Sequence, residues 1–199
     1  QYSGVAAEAI QADLRVEEDV QNLLNQVVGK FGGLDILVNN SGVFSLSLQE
    51  NLSLDSWREV FAVNVQGLFL CCREAVPYLR TAGHGVIINI ASINALHPGF
   101  GETAHYDAGK GAVSAYTRSL AAETAKDGVR VNAVAPGLIE SSGLRENAEN
   151  LAEMYEKRAP LSRLVRTEDI GNAVVFLSSD AASAITGEII TVDCGYLLT

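Results

Sequence analysis

Val86-Ile-Ile-Asn-Ile-Ala-Ser92 and Val129-Arg-Val-Asn-Ala-Val-Ala-Pro-Gly137 are the stretches that decide the fold. Each is a short, almost continuous apolar run that ends on small polar or turn-forming residues. Alternating apolarity would mark a strand with one wet face, whereas continuous apolarity marks a strand covered on both faces, as in parallel sheets. Similar runs occur at Val5 to Ile10, Leu34 to Val38 and Glu188 to Val192. Between the runs, apolar residues recur with helical spacing over Glu17 to Phe31, Leu54 to Leu79, Thr103 to Lys126, Leu144 to Lys157 and Thr167 to Ser178. Strand and helix alternate, and no Asn-Gly or Asp-Gly turn joins two apolar runs. The sequence therefore predicts a single α/β domain over residues 1–199, a doubly wound parallel sheet with helices on both faces.

Composition narrows the function. Asp plus Glu number 24 against 14 Lys plus Arg, a net charge of −10 in 199 residues. A polyanion meets a repulsive average field, so nucleic acid is not an expected partner. No apolar run reaches the roughly 18 residues of a membrane span, and residues 1–20 lack the basic start and apolar stretch of a secretory signal. The expectation is a cytoplasmic protein with no membrane partner. Cys71, Cys72 and Cys194 form neither a metal knuckle nor a disulfide framework, so reduced core thiols and no metal are expected. Ser53 and Asp55, and again Thr167-Glu168-Asp169, supply the cap and acids of helix starts. The stretch from Gly137 to Asn150, rich in Ser, Gly, Asn and Glu, reads as part of a substrate lid over residues 138–160.

Ligands of an open parallel sheet sit at the carboxyl ends of its strands. There the chain places Asp13-Leu14, Asn39-Asn40-Ser41-Gly42, Ala91-Ser92 and Pro136-Gly137. Tyr106 and Lys110 are four residues apart near a helix start and share one face. A phenol with an ordinary pKa near ~10 becomes a usable acid or base when an ammonium beside it favours the phenolate. The pair alone is weak evidence. Ser92, at the end of the preceding strand, could hold the same substrate oxygen, and Asn64 lies in the earlier long helix.

On these residues the chain resembles the short-chain dehydrogenase/reductase family, with a flavour of 3-oxoacyl-thioester reductases. The resemblance rests on Asn39-Asn40-Ser41-Gly42, Asn64, Ser92, Tyr106-Asp-Ala-Gly-Lys110, Asn132-Ala-Val-Ala-Pro-Gly137 and the segment from Thr186 to Gly195. It implies a Rossmann-like fold, NAD or NADP as cofactor, a small alcohol or ketone as substrate and a homotetramer. It implies Tyr106 as the proton donor and acceptor, Lys110 as the group that lowers its pKa and binds the nicotinamide ribose, and Ser92 as the clamp on the reacting oxygen. Asn64 would hold a relay water. Asp13 and Leu14 would contact adenine, Asn39, Asn40, Ser41 and Gly42 would flank its ribose, and Pro136, Gly137, Ile139 and Ser141 would face the nicotinamide.

Some features depart from the family pattern. Its glycine-rich phosphate loop is absent from these residues, and the expectation is a chain that starts at the third strand, without the first βαβ portion. Gly99-Phe-Gly-Glu-Thr-Ala104 mimics that loop, but it does not directly follow a strand. His97 and His105 read as substrate-wall or solvated residues, and His84 as surface. The rival readings are a sugar or polyol dehydrogenase on the same frame and a catalytically silent dinucleotide-binding scaffold.

Overall fold

The computed structural model describes residues 4–140 and 149–199. Strands β1 (Ile36–Asn39), β2 (Val86–Ile90), β3 (Arg130–Pro136) and β4 (Ile189–Val192) form one sheet in that order. All three pairings are parallel, with Val38 opposite Ile88, Ile88 opposite Asn132 and Val134 opposite Ile190. The fifth expected strand is not there. Residues 5–13 form no strand, and Val5 is 76% exposed. A cavity of about 280 Å³, lined by Ile10, Ala12, Leu37 and Val38 among others, lies between this segment and β1. An apolar run becomes a strand only with a ladder partner about 4.8 Å away, and this one has a gap on that side.

Six helices connect and cover the sheet among the described residues: α1 (Glu17–Phe31), α2 (Leu54–Phe61), α3 (Leu68–Ala82), α4 (Ala104–Thr124), α5 (Glu149–Arg158) and α6 (Thr167–Ser178). The run expected as one helix from Leu54 to Leu79 is two α-helices joined by a π turn, Ala62–Gly67. It starts as expected, with the Ser53 hydroxyl accepting the Ser56 N–H at 3.0 Å. By length and composition Leu54–Ala82 could cross a membrane, yet 50% of its apolar window is buried within the fold. The start expected at Leu144 lies outside the described residues.

Both sheet faces are covered, which is the doubly wound arrangement. Ile87 joins Leu24, Leu79 and Val113 of α1, α3 and α4. Val86 and Ile88 point the other way, to Leu177 of α6 and to Ala182. The central strands read as continuous apolarity because each residue lands in one of two cores. The three cysteines are free and buried, and burial raises Cys71 to about 11 and Cys72 to about 12. With every strand parallel, Asn39, Ser92, Pro136 and Asp193 gather at one end of the sheet.

Candidate active site

Helix α4 carries Tyr106 and Lys110 one turn apart, and its first turn abuts the end of β2, where Ser92 sits. Ser92 is 8% exposed, and its hydroxyl accepts the Asn94 N–H at 3.2 Å. Burial pushes the Tyr106 phenol above its ordinary value, a hydrogen bond with Ser92 pulls it down, and the Asp107 charge pushes it up. The spacing argues for a phenol lowered by Lys110, but the structure gives a raised one. The Lys110 ammonium stands 5.8 Å from the phenol ring centre, and desolvation sets the direction of the shift. Lys110 is 5% exposed, burial brings it down to about 8, and it donates to the Ile90 carbonyl at 2.7 Å. An ammonium has three donors, so two remain for other acceptors.

Asn64 lies within the π turn and is buried. Its amide donates to the Val43 carbonyl at 2.9 Å and accepts the Val43 N–H at 2.8 Å. A Cβ on Gly42 would stand 3.2 Å from Asn64 Oδ1 and 3.7 Å from Lys110 Nζ. Gly42, Asn64 and Lys110 therefore converge. Clamping Val43 is a use of Asn64 that sequence reasoning missed.

The chain after Gly42 is tied down at several further points. The Ser45 hydroxyl bonds His105 Nε2 at 2.8 Å, and the Ser47 N–H donates to the Glu102 carbonyl at 2.8 Å. His105 is fully buried and so is not solvated, contrary to one of the two roles expected for it. Its place, one residue from Tyr106 on the inner face of α4, turns it inward. His97 is exposed and bonds the Pro98 carbonyl through Nδ1, and the imidazole of His84 is 76% exposed.

The loop between Ser92 and Tyr106 folds around Asp107. Its carboxylate accepts the Asn94 amide at 2.7 Å, the Gly99 N–H at 3.1 Å and the Thr103 hydroxyl at 3.0 Å. A Cβ on Gly99 would come within 2.3 Å of the Asn94 amide and 2.4 Å of the Thr103 hydroxyl, so this glycine answers a close approach and not a phosphate. Asp107 escaped notice in the sequence, where an acid in a first helical turn reads as a partner of the helix dipole.

Of the residues expected to hold a dinucleotide, Asp13, Leu14, Asn39, Asn40 and Ser41 flank open space, whereas Pro136 is buried and Gly137 lies against the Tyr155 hydroxyl. A cavity of about 670 Å³ is lined by Asp13, Leu14, Arg15, Ser41 and Val43 among others, and the smaller cavity beside it adds Asn39 and Asn40. Asp13 pairs with Arg15 at 2.7 Å, and the Arg15 hydrogen bonds hold its carboxyl down at about 2. The Asn39 amide turns inward, to Asn89 at 2.9 Å and the Cys72 thiol at 3.2 Å. Past β3, the Leu138 carbonyl accepts the Val165 N–H and the Glu140 N–H donates to the Val165 carbonyl. In a parallel bridge of this pattern the N–H of the middle residue, Ile139, points away from Val165. The open space, the Gly42 approach and this donor fit a flat dinucleotide. Ser141 lies outside the described residues.

The model of the Enoyl-(Acyl carrier protein) reductase family matches residues 2–197. The 3-oxoacyl-(acyl-carrier-protein) reductase FabG of Staphylococcus aureus is 38% identical over 192 residues, covering 96% of this chain and 78% of that protein. Cis-4-hydroxycyclohexanecarboxylate dehydrogenase of Sinomonas cyclohexanicum is 35% identical over 188 residues, 94% of this chain and 75% of that one. A short-chain type dehydrogenase/reductase from Mycobacterium marinum superposes with a TM-score of 0.93 at 32% identity, over 98% of this chain and 78% of that one. ElxO with NADP bound superposes with a TM-score of 0.89 at 31% identity, over 96% and 78%. The chain belongs to the short-chain dehydrogenase/reductase family and is an NAD(P)-dependent oxidoreductase acting on CH–OH groups.

Proposed function

We propose that Tyr106 is the general acid and base that interconverts a secondary alcohol and a ketone here, with 3-oxoacyl thioesters as the leading substrate class. The observation that carries this reading is Tyr106 set against Ser92 at the end of β2, one helical turn from a buried Lys110 with donors to spare. Bound NAD or NADP supplies or accepts a hydride at the substrate carbon. In reduction, the Tyr106 hydroxyl protonates the carbonyl oxygen while the Ser92 hydroxyl orients it. The raised phenol keeps that proton available at neutral pH, and the Lys110 ammonium stabilises the phenolate left behind. Asn64 holds a water that returns the proton from solvent toward Lys110. Asp13, Leu14, Asn39, Asn40, Ser41, Gly42, Pro136, Gly137, Ile139 and Ser141 hold the dinucleotide, with the spare Lys110 donors on its ribose.

The similarity to FabG favours the thioester, and a sugar or polyol is the alternative on the same frame. A silent scaffold would have no use for the complete set of Asn64, Ser92, Tyr106 and Lys110. A homotetramer belongs to the same proposal: Phe69 is 40% exposed, meets Tyr116 edge-on and leaves an aromatic surface on α3 and α4 for a subunit interface. Three free thiols fit a cytoplasmic location. Residues 138–160 are proposed as the lid.

Purified wild type and Tyr106→Phe, assayed by NADPH and NADH absorbance against a 3-oxoacyl thioester, test the mechanism. The substitution is expected to lower kcat by about 10²- to 10⁴-fold and to leave nucleotide affinity intact. Turnover that survives it overturns the assignment.

A further inference from the structure

Phe44 is 58% exposed, a large apolar side chain outside the core. Its ring nonetheless meets the Tyr106 ring edge-on, with centres 4.9 Å apart and planes at 86°. An exposed aromatic residue is ordinarily a surface accident on a backbone free to move. This backbone is not free. Val43 is bonded at both its N–H and its carbonyl by Asn64, Ser45 by His105 and Ser47 by Glu102. Residues on either side of Phe44 are thus fixed to the π turn, to the buried face of α4 and to the loop that follows Ser92. The chain sets an aromatic ring against the group proposed to move the proton, then leaves more than half of its surface bare.

We propose that Phe44 is the specificity-determining residue of the site, and that it packs on an apolar carbon substituent next to the reacting carbonyl. This rests on the assignment of Tyr106 given above and goes further in choosing an acyl, aryl or alicyclic ketone over a polyhydroxylated one. An apolar substituent beside Tyr106 covers the exposed part of the ring and gains from water's expulsion. A polyol would set hydroxyls against a surface that offers them no partner and would lose their hydration. Ser45 and His105 act as positioning residues, since their bond keeps Phe44 from swinging away from Tyr106.

The test separates the wall from the chemistry. In a Tyr106→Phe background, which keeps the ring contact, the equilibrium affinity of the NADP-bound protein for 4-hydroxycyclohexanecarboxylate and for a hexose polyol is measured by titration calorimetry. Adding Phe44→Ala is expected to weaken the cyclohexyl ligand about tenfold, or about 1.4 kcal/mol, while Phe44→Leu restores most of it. Polyol and NADP affinities are expected to stay within about twofold. Unchanged affinity for the cyclohexyl ligand on Phe44→Ala, or equal losses for both ligands, overturns the proposal. Failure of the Tyr106 assignment shows separately, as ketone reduction persisting in Tyr106→Phe.

Discussion

The proposed proton-transfer end and the proposed nucleotide end of this site are built to different tolerances. At the first, Asn64, Ser92 and Lys110 are 2%, 8% and 5% exposed, and internal hydrogen bonds fix each of them. At the second, the Asp13 and Arg15 side chains are 38% and 49% exposed and are bonded to each other beside an open cavity. Proton transfer fails when a donor is misplaced by about an ångström, so its groups must be held before the substrate arrives. A base-contacting carboxylate can exchange one exposed partner for another on binding at little cost. On the proposed assignment, Asn64, Ser92 and Lys110 are held by buried polar bonds where chemistry is position-sensitive, while Asp13 and Arg15 keep an exposed pair where only affinity is at stake.

The contrast can be broken by mutation. The largest loss is that of Tyr106→Phe, already described, confined to kcat. Next comes Asp107→Ala, which releases the Asn94, Gly99 and Thr103 bonds and lets the loop from Ser92 drift. It is expected to lower kcat/KM by about 10- to 100-fold with the nucleotide Kd unchanged, as steady-state kinetics and fluorescence titration would show. Asp107→Asn should recover most of the rate, because an amide can replace the carboxylate if Asn94 turns over. An equal loss in both variants would mean that the charge, and not the loop, matters.

Asp13→Ala should do the reverse, weakening the nucleotide by about three- to tenfold and leaving kcat within about twofold. A collapse of kcat in this variant would erase the distinction between the two ends.

The titrations sharpen the same comparison. Lys110, pushed down to about 8, should set the alkaline limb of kcat/KM for ketone reduction, since the phenol stays protonated well beyond that. A pH profile flat through pH 9 would contradict this. For stability, the thiols of Cys71 and Cys72 are raised in the fold from 9.0 to about 11 and about 12. The unfolded chain gives up these protons first, so stability is full below pH 9 and falls as pH climbs toward 11. Urea melts at pH 7.5 and pH 10 should show the drop, and it should shrink in Cys71→Ala/Cys72→Ala.

Much of this was legible in the chain. Val86–Ile90, Glu17–Phe31 and Thr167–Ser178 fall where apolar spacing places them, because burial on one or two faces leaves a period in the sequence. Val5 to Ile10 misled because apolarity reports burial and says nothing about whether a ladder partner is present. The α6 cap was displaced by one residue: Asp169 accepts the N–H of Arg166, which stands before Thr167. In the proposed site, Tyr106, Lys110 and Ser92 were singled out by resemblance, the spacing of Tyr106 and Lys110 alone being weak. Val43, Phe44 and His105 were not, since what they do depends on residues far along the chain that only folding brings near, and Asp107 was not because its bonds run to loop residues whose path the sequence does not show.

The π turn between α2 and α3 has a consequence for inheritance. A π turn is an α-helix with one surplus residue, and each residue of an α-helix advances the side chains by about 100°. Between Ala62 and Gly67 the surplus lets Asn64 turn toward Val43 while Leu70, Cys71 and Leu79 still face the sheet. Losing a single codon there would restore ordinary winding and leave every helical residue content. It would also put either the core stripe of α3 or the asparagine on the wrong side. Apart from Asn64 and Gly67, the segment therefore tolerates substitution far better than a change in length, and descendants of this gene should vary in spelling at its other positions while keeping its count.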